Sequence, residues 1–319
     1  MTRSPHRRAI GTVLFDVLIL IALCSLVGLL GRFFWFFDLF NHFRPQAVVA
    51  ALPLLLLAVL LKHRNSVLLG SAIIVINLAL MAFSWVSFPS AAREAFGAQA
   101  AMQQKTILFA NVLTSNTRTY DFVTLVKEQN PDVIAVAEID DRWVAALSAL
   151  ENEYPYKHLA PREDNFGIGL YAKHPFDAEI RVAGHHKLPM LVMRAEGYSV
   201  IVTHPAPPLD AAYANDLRAY MAEVARQTNQ ITGPVILAGD LNTTLWSHHL
   251  QPLKKAGYHR AGSLPFARTW PGNGWLFAMQ LDHLLVRDAV TTGFRVLPDI
   301  GSDHYPIQVQ IGWQKSSIR

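Results

Sequence analysis

A recurrent pattern marks the last two thirds of this sequence. Asn111, Glu138, His204, Asp240 with Asn242, Asp282, and Asp303 with His304 each stand at an end of a short apolar run rich in β-forming residues. The runs read TILFAN, DVIAVAE, YSVIVTH, VILAGDLN, LDHLLV and SDHYPIQVQI. The chemical types are carboxylates, amides and imidazoles. Oxygen donors of this kind suit Mg²⁺, a hard cation that keeps several waters and is commonly held by one or two carboxylates plus a substrate phosphate. No soft ligand is offered, because the only cysteine, Cys24, lies far upstream in an apolar stretch. The transition state for cleaving a phosphoester develops charge on nonbridging oxygens and on the leaving group. A bound cation and a protonated His204 would offset that charge.

Taken singly, these residues have ordinary explanations. Asn111 suits a turn after a strand, Gly239-Asp240-Leu241-Asn242 suits an Asx-type turn, and Asp303-His304 suits a helix cap or a surface pair. Glu138 is different, since it closes an apolar strand whose alternation buries it, and a buried carboxylate without a partner is costly. The order Asn, Glu, His, Asp-x-Asn, Asp, Asp-His, each beside a strand-like run, points to one site.

Several elements must position these residues. A helix is expected from Tyr120 to Gln129, stopped by Asn130 and Pro131, and a second from about Asp210 to Thr228 that leads through Gly233 and Pro234 into VILAGDLN. GIGLYAKHPF and MLVMRA read as further strands. Strands alternating with helices and delivering polar residues at their ends describe an α/β enzyme with its chemistry at strand termini.

With these motifs the segment from Lys105 to Trp313 resembles the endonuclease/exonuclease/phosphatase superfamily, the DNase I-like phosphoesterases. Its most specific pieces are GDLN, SDHYP and LDHLLV. The resemblance implies a four-layer α/β sandwich, two packed mixed sheets flanked by helices, with the site where strand ends of both sheets meet. It implies Glu138 as the principal ligand of Mg²⁺, with Mn²⁺ as an alternative, assisted by Asn111 and Asp303. Asp240 and Asn242 would orient the nucleophilic water and the phosphate, and Asp282 would fix which ring nitrogen of His304 faces the reaction. Either Asp240 or His304 would take the proton of the water. Asn111, Tyr171 and Trp270 are the expected substrate contacts, although alternation does not decide which way Tyr171 points. His283 falls on the opposite face of its strand from Asp282 and is left out of the chemistry.

The first ninety residues follow other rules. The chain of 319 residues is 51% hydrophobic, and the excess is concentrated at its start. Ile10–Leu30, Ala47–Leu61 and Ser66–Phe88 read as three membrane crossings. The aromatic cluster Phe33 to Phe37 reads as an interfacial turn. The expected organisation is a membrane segment over 1–90, a linker over 91–104 and a catalytic domain over 105–319.

Five basic residues at the N-terminus and in the 62–64 loop, against Arg32 and Arg44 in the first loop, place the N-terminus in the cytoplasm. Three crossings then put the catalytic domain outside, on the periplasmic side of an inner membrane. Before residue 91 there are seven basic residues against Asp16 and Asp38, so of 28 basic and 24 acidic residues the remainder holds 21 and 22. A nearly neutral catalytic part beside a bilayer favours a lipid headgroup or another envelope phosphate ester as partner. Nucleic acid, which would call for a basic groove, is the less favoured alternative. A noncatalytic scaffold would be expected to lack some catalytic positions, and none is missing.

Overall fold

The computed structural model describes residues 5–92, 102–263, 266–272, 274 and 276–314. Most of the expected linker therefore lies outside the described residues. By their internal contacts the residues fall into two units: 1–87 with 245–248, and 88–244 with 249–319.

The first unit is helical. Helices α1 (Pro5–Val27), α2 (Trp35–His42), α3 (Arg44–Leu60) and α4 (Arg64–Ser87) pack around Leu14, Leu18, Ala51, Ala58 and Ile73. Two stretches, Ala9–Leu30 and Arg64–Ser87, are long and apolar enough to cross a membrane. The expected middle crossing takes another form: α2 and α3 together have the required length and apolarity, but a 59° bend separates them. Polar side chains inside this unit satisfy one another, as burial demands. Arg44 donates to Asn77 at 3.2 Å, Asn77 to the Ser25 hydroxyl at 2.9 Å, and Asn41 to Asp38 at 2.7 Å. The same Asp38 carboxylate accepts the Ser247 hydroxyl and the His248 backbone N–H.

The second unit is a sandwich of two six-stranded sheets. Along the chain the strands are β1 (Met102–Asn111), β2 (Val133–Ala137), β3 (Tyr156–Ala160), β4 (Ile168–Ala172), β5 (Asp177–Ala183), β6 (Leu188–Ala195), β7 (Tyr198–Thr203), β8 (Val235–Asp240), β9 (His259–Arg260), β10 (Asp282–Arg287), β11 (Val290–Val296) and β12 (Ile307–Gln314). One sheet has the order β11-β12-β1-β2-β4-β3 and the other β5-β6-β7-β8-β10-β9.

Each sheet is mixed, and each has one parallel pair at its centre, β1 with β2 and β7 with β8. A parallel pair needs a long crossover. Helix α5 (Thr119–Gln129) supplies the first and α7 (Ala211–Thr228) the second. The expected boundaries of both helices hold within a residue. Asn130 ends α5 in the left-handed conformation at φ 48°, and Asp210 caps α7 by accepting the Tyr213 N–H at 2.8 Å.

The inner faces meet in one apolar core. Ile107, Phe109, Val133 and Ala135 from the first sheet oppose Leu191, Val200, Val202, Ile236 and Leu284 from the second. Outside the first sheet, α5 and α6 (Asp141–Leu147) bury Phe122, Val126, Trp143 and Leu147 against Leu108, Ile134 and Tyr171. Outside the second, α7 buries Leu217, Tyr220, Met221 and Val224. The four-layer α/β sandwich that the family resemblance implies is the observed architecture.

This topology sends the polar strand ends to one place. β1, β2, β7 and β8 finish at or just before Asn111, Glu138, His204 and Asp240. The antiparallel neighbours begin where those strands end, so Asp282 starts β10 directly opposite Asp240. The 302–306 turn leads into β12, whose Ile307 pairs with Phe109 two residues before Asn111.

Candidate active site

Asn111 joins the two sheets. Its side-chain nitrogen donates to Glu138 Oε1 at 2.8 Å and to Asp240 Oδ2 at 3.1 Å, while its oxygen accepts the Leu113 N–H at 3.0 Å. In this arrangement the amide nitrogen faces the carboxylates, and Asn111 serves as a bridge between them. Glu138 adopts a left-handed backbone at φ 61°, uncommon for a residue with a side chain and typical of sites where surrounding structure imposes geometry. Thr114, which sequence reasoning did not single out, donates its hydroxyl to the Glu138 carbonyl at 3.0 Å. No spacing signal marks it.

Two imidazoles flank Asp240. His204 Nε2 is 3.5 Å from Glu138 Oε1 and its Nδ1 is 3.8 Å from Asp240 Oδ2. On the other side, His304 Nε2 is 3.5 Å from the same Asp240 oxygen, and its Nδ1 is 2.8 Å from Asp282 Oδ2. Of these five residues all but Glu138 are buried. The remaining Asp240 oxygen accepts the Asn242 N–H at 3.0 Å, and Asn242 Nδ2 donates to the Pro205 carbonyl at 2.9 Å. Asn242 thus ties the turn after β8 to the turn after β7.

Charge pairing governs protonation here. Burial disfavours the His304 imidazolium, but the negative charges of Asp282 and Asp240, the Asp282 hydrogen bond and Asp303 outweigh it and push its pKa up to about 10. Burial likewise opposes charge on His204, and Glu138 and Asp240 raise its pKa all the same. Burial disfavours ionised Glu138, yet His204, Asn111 and His304 hold its pKa below the usual value. His304 therefore carries its charge at neutral pH, while burial raises the pKa of its partner Asp282 despite that charge.

The donors fit a divalent cation. Glu138, His204 and Asp240 each offer a ligand atom within 4.8 Å of the others, and so do Asp240, Asp282 and His304. Glu138 is only partly buried, and a hard carboxylate open to water is the group that would hold a partly hydrated ion. Asp303 belongs to neither cluster: its exposed carboxylate accepts the Trp270 indole N–H at 3.0 Å. Trp270 places its ring 6.4 Å from that of His304. Across the site Phe166, not anticipated from sequence, lies 5.6 Å from the His204 ring.

Tyr171 is not brought to this cluster. It is buried in the outer core beside Phe122 and Trp143, three residues along β4 from Ile168, the residue paired with Ala137 at the site end. The expectation of substrate contact is corrected by the phase of the strand, which turns Tyr171 toward the helices rather than the site. Its hydroxyl is buried without a hydrogen-bond partner among the described residues. Tyr171→Phe should therefore leave turnover unchanged and raise stability by about 1 kcal/mol in denaturant unfolding. A loss of activity in this variant would return Tyr171 to the site.

His283 faces away from the reaction, as alternation required. Burial lowers its pKa to about 4, so the neutral ring donates from Nε2 to the Thr243 carbonyl at 2.8 Å and steadies the turn after Asp240.

Comparison with known proteins agrees with the fold. D. rerio TDP2 complexed with single strand DNA product has a similar structure at 16% identity and a TM-score of 0.55, covering 66% of this chain and 99% of that one. The endonuclease/exonuclease/phosphatase from Beutenbergia cavernae DSM 12333 is similar at 15% identity and a TM-score of 0.53, covering 68% of this chain and 73% of that one. At these identities the likeness shows the fold. No curated protein matches the chain. Residues 108–304, more than half of the chain, match the Endonuclease/Exonuclease/phosphatase family. Buried carboxylates paired with imidazoles at the joined strand ends of this sandwich mark a metal-dependent hydrolase of phosphoester bonds, and the chain belongs to the endonuclease/exonuclease/phosphatase family.

Proposed function

We propose that the chain is a membrane-anchored, Mg²⁺-dependent phosphodiesterase that cleaves single-stranded nucleic acid near an end, on the extracytoplasmic side of the membrane. The observation that carries this reading is the pair of aromatic rings, Phe166 and Trp270, set against the two imidazoles. Bases splayed from a single strand stack on such rings whatever their identity. The similar TDP2 structure was determined with a single-strand DNA product, which supports the same substrate class. The near-neutral charge of the catalytic part disfavours a long duplex and suits a short single-stranded end.

The residues divide the work. Mg²⁺, when bound beside Glu138, would polarise the phosphoryl oxygens and lower the pKa of a coordinated water. The raised pKa of His304 leaves it without a free ring nitrogen at neutral pH, so Asp240 is the group that accepts the proton of the attacking water. His304, charged at neutral pH, and His204, whose pKa its carboxylates raise, face the charge that develops on the phosphoryl oxygens. Asn242 and Asn111 hold Asp240 in place from the two sheets.

A second reading keeps the same chemistry on a lipid headgroup. The two membrane-spanning candidates favour it, since they would hold the enzyme at a bilayer. The orientation rests on the surplus of basic residues at the N-terminus and in the 62–64 loop. It also needs α2 and α3 to act as one crossing.

The full chain in detergent should shorten a fluorescent single-stranded oligonucleotide with Mg²⁺ and leave phospholipid vesicles intact. Faster release of headgroup phosphate from vesicles than cleavage of the oligonucleotide would replace the first reading by the second.

A further inference from the structure

Asp282 is fully buried, and only one of its oxygens is accounted for. Its Oδ2 meets His304 Nδ1 at 2.8 Å, whereas Oδ1 has no hydrogen-bond partner among the described residues. An oxygen left bare beside a working imidazole is costly, and it leaves the carboxylate free to swing.

The segment ahead of β10 supplies what is missing. Residues 269–272 form a strap over the turn that carries Asp303 and His304. The Tyr305 N–H donates to the Thr269 carbonyl at 2.8 Å, the Gly272 N–H to the Asp303 carbonyl at 2.7 Å, and the Tyr305 hydroxyl to the Gly272 carbonyl at 2.6 Å. The Trp270 indole adds its bond to the Asp303 carboxylate. Thr269 itself is fully buried, and its hydroxyl oxygen accepts the N–H groups of Leu281 at 3.1 Å and Asp282 at 3.2 Å. With two donors aimed at that oxygen, its lone pairs are spent and its single proton must point elsewhere.

We propose that Thr269 is a positioning residue for the Asp282–His304 pair: its oxygen pins the Asp282 backbone, and its proton goes to Asp282 Oδ1, leaving Oδ2 turned toward His304. The strap thereby joins two functions, holding the His304 turn through its backbone and the carboxylate behind His304 through one hydroxyl.

This inference rests on the phosphoesterase reading, and its test separates the two. The full chain in detergent is assayed with Mg²⁺ and bis(4-nitrophenyl) phosphate, and the His304 ring N–H is followed by proton NMR. Thr269→Val keeps the shape and removes the hydroxyl, and should lower kcat about tenfold to a hundredfold with KM changed less than about threefold. Thr269→Ser keeps the hydroxyl and should restore kcat to within about threefold of wild type. In an Asp282→Asn background, Thr269→Val should cost nothing further, because both changes disable one unit. The downfield His304 proton should shift or vanish in Thr269→Val and persist in Thr269→Ser.

Thr269→Val with normal kcat and an unmoved His304 proton overturns the proposal while leaving the phosphoesterase reading intact. Equal losses in the Ser and Val variants also overturn it, since shape rather than the hydroxyl would then matter. If wild type does not turn over the probe, the phosphoesterase reading fails on that arm, and the NMR signal alone decides the role of Thr269.

Discussion

Replacing Glu138 by glutamine is expected to lower Mg²⁺-dependent phosphodiester hydrolysis by about a thousandfold. The estimate follows from the several kcal/mol of charge stabilisation that a catalytic cation supplies, at about 1.4 kcal/mol per tenfold in rate. Glutamine keeps the size and the acceptor for Asn111, so the variant tests the charge rather than the shape. Glu138 is the carboxylate of the cluster that water can reach, and its pKa is held low by His204 and Asn111 against the penalty of burial. Without it the first ligand cluster would be reduced to His204 and Asp240.

Binding can be read separately from chemistry. A ligand that binds only the folded chain adds about 2.7 kcal/mol of stability at a hundred times its dissociation constant. Wild type should therefore melt higher as Mg²⁺ is added, and Glu138→Gln should show little of that rise. A variant that keeps both the Mg²⁺-dependent melting shift and the turnover would remove Glu138 from the metal site.

The second large effect is expected at His304. His304→Asn should reduce kcat by about a hundredfold to ten-thousandfold, the usual range for a positioned proton-transfer or charge-stabilising side chain. Asp282→Asn should approach the same loss, and the double variant should lose little more, because the two side chains form one hydrogen-bonded unit. The pH dependence has a definite sign. The folded-state pKa of His304 lies near 10, above its ordinary value of 6.5. Its contribution to stability is therefore complete below about pH 6.5 and is lost as pH rises toward 10. In chelator, wild type should lose more melting temperature than His304→Asn between pH 7 and pH 10. Parallel curves for the two proteins would mean that the His304 charge is not held by its carboxylates.

Much of the site is legible in the amino-acid pattern. Glu138 at the end of VIAVA, Asp240 at the end of VILAG and His204 after VIVT announced themselves, because a charged residue that closes an apolar run must find a partner or solvent. The helices α5 and α7 were equally legible, since caps such as Asn130 and Asp210 act within a few residues of the chain. Tyr171 shows where this reasoning stops. Its run is apolar at every position, so alternation could not say which face met the site, and only packing against Phe122 and Trp143 decided it. The middle membrane segment was similar: composition showed one apolar run, Ala47–Leu61, while in the structure that run lies in α3 and has the length of a crossing only together with α2, across a 59° bend.

Residue types and local pattern specify which donors are present, their order, and that strands deliver them. Tertiary structure alone decided which donors share one space. Asn111 reaches Asp240 across 129 residues, Asp282 faces Asp240 through strand register, and His304 arrives through a strap at Thr269 to Gly272. Strand register and sheet packing are nonlocal, set by the burial of whole faces rather than by neighbours in the chain. A shift of one residue in β10 would have turned Asp282 to the helices and His283 to the site.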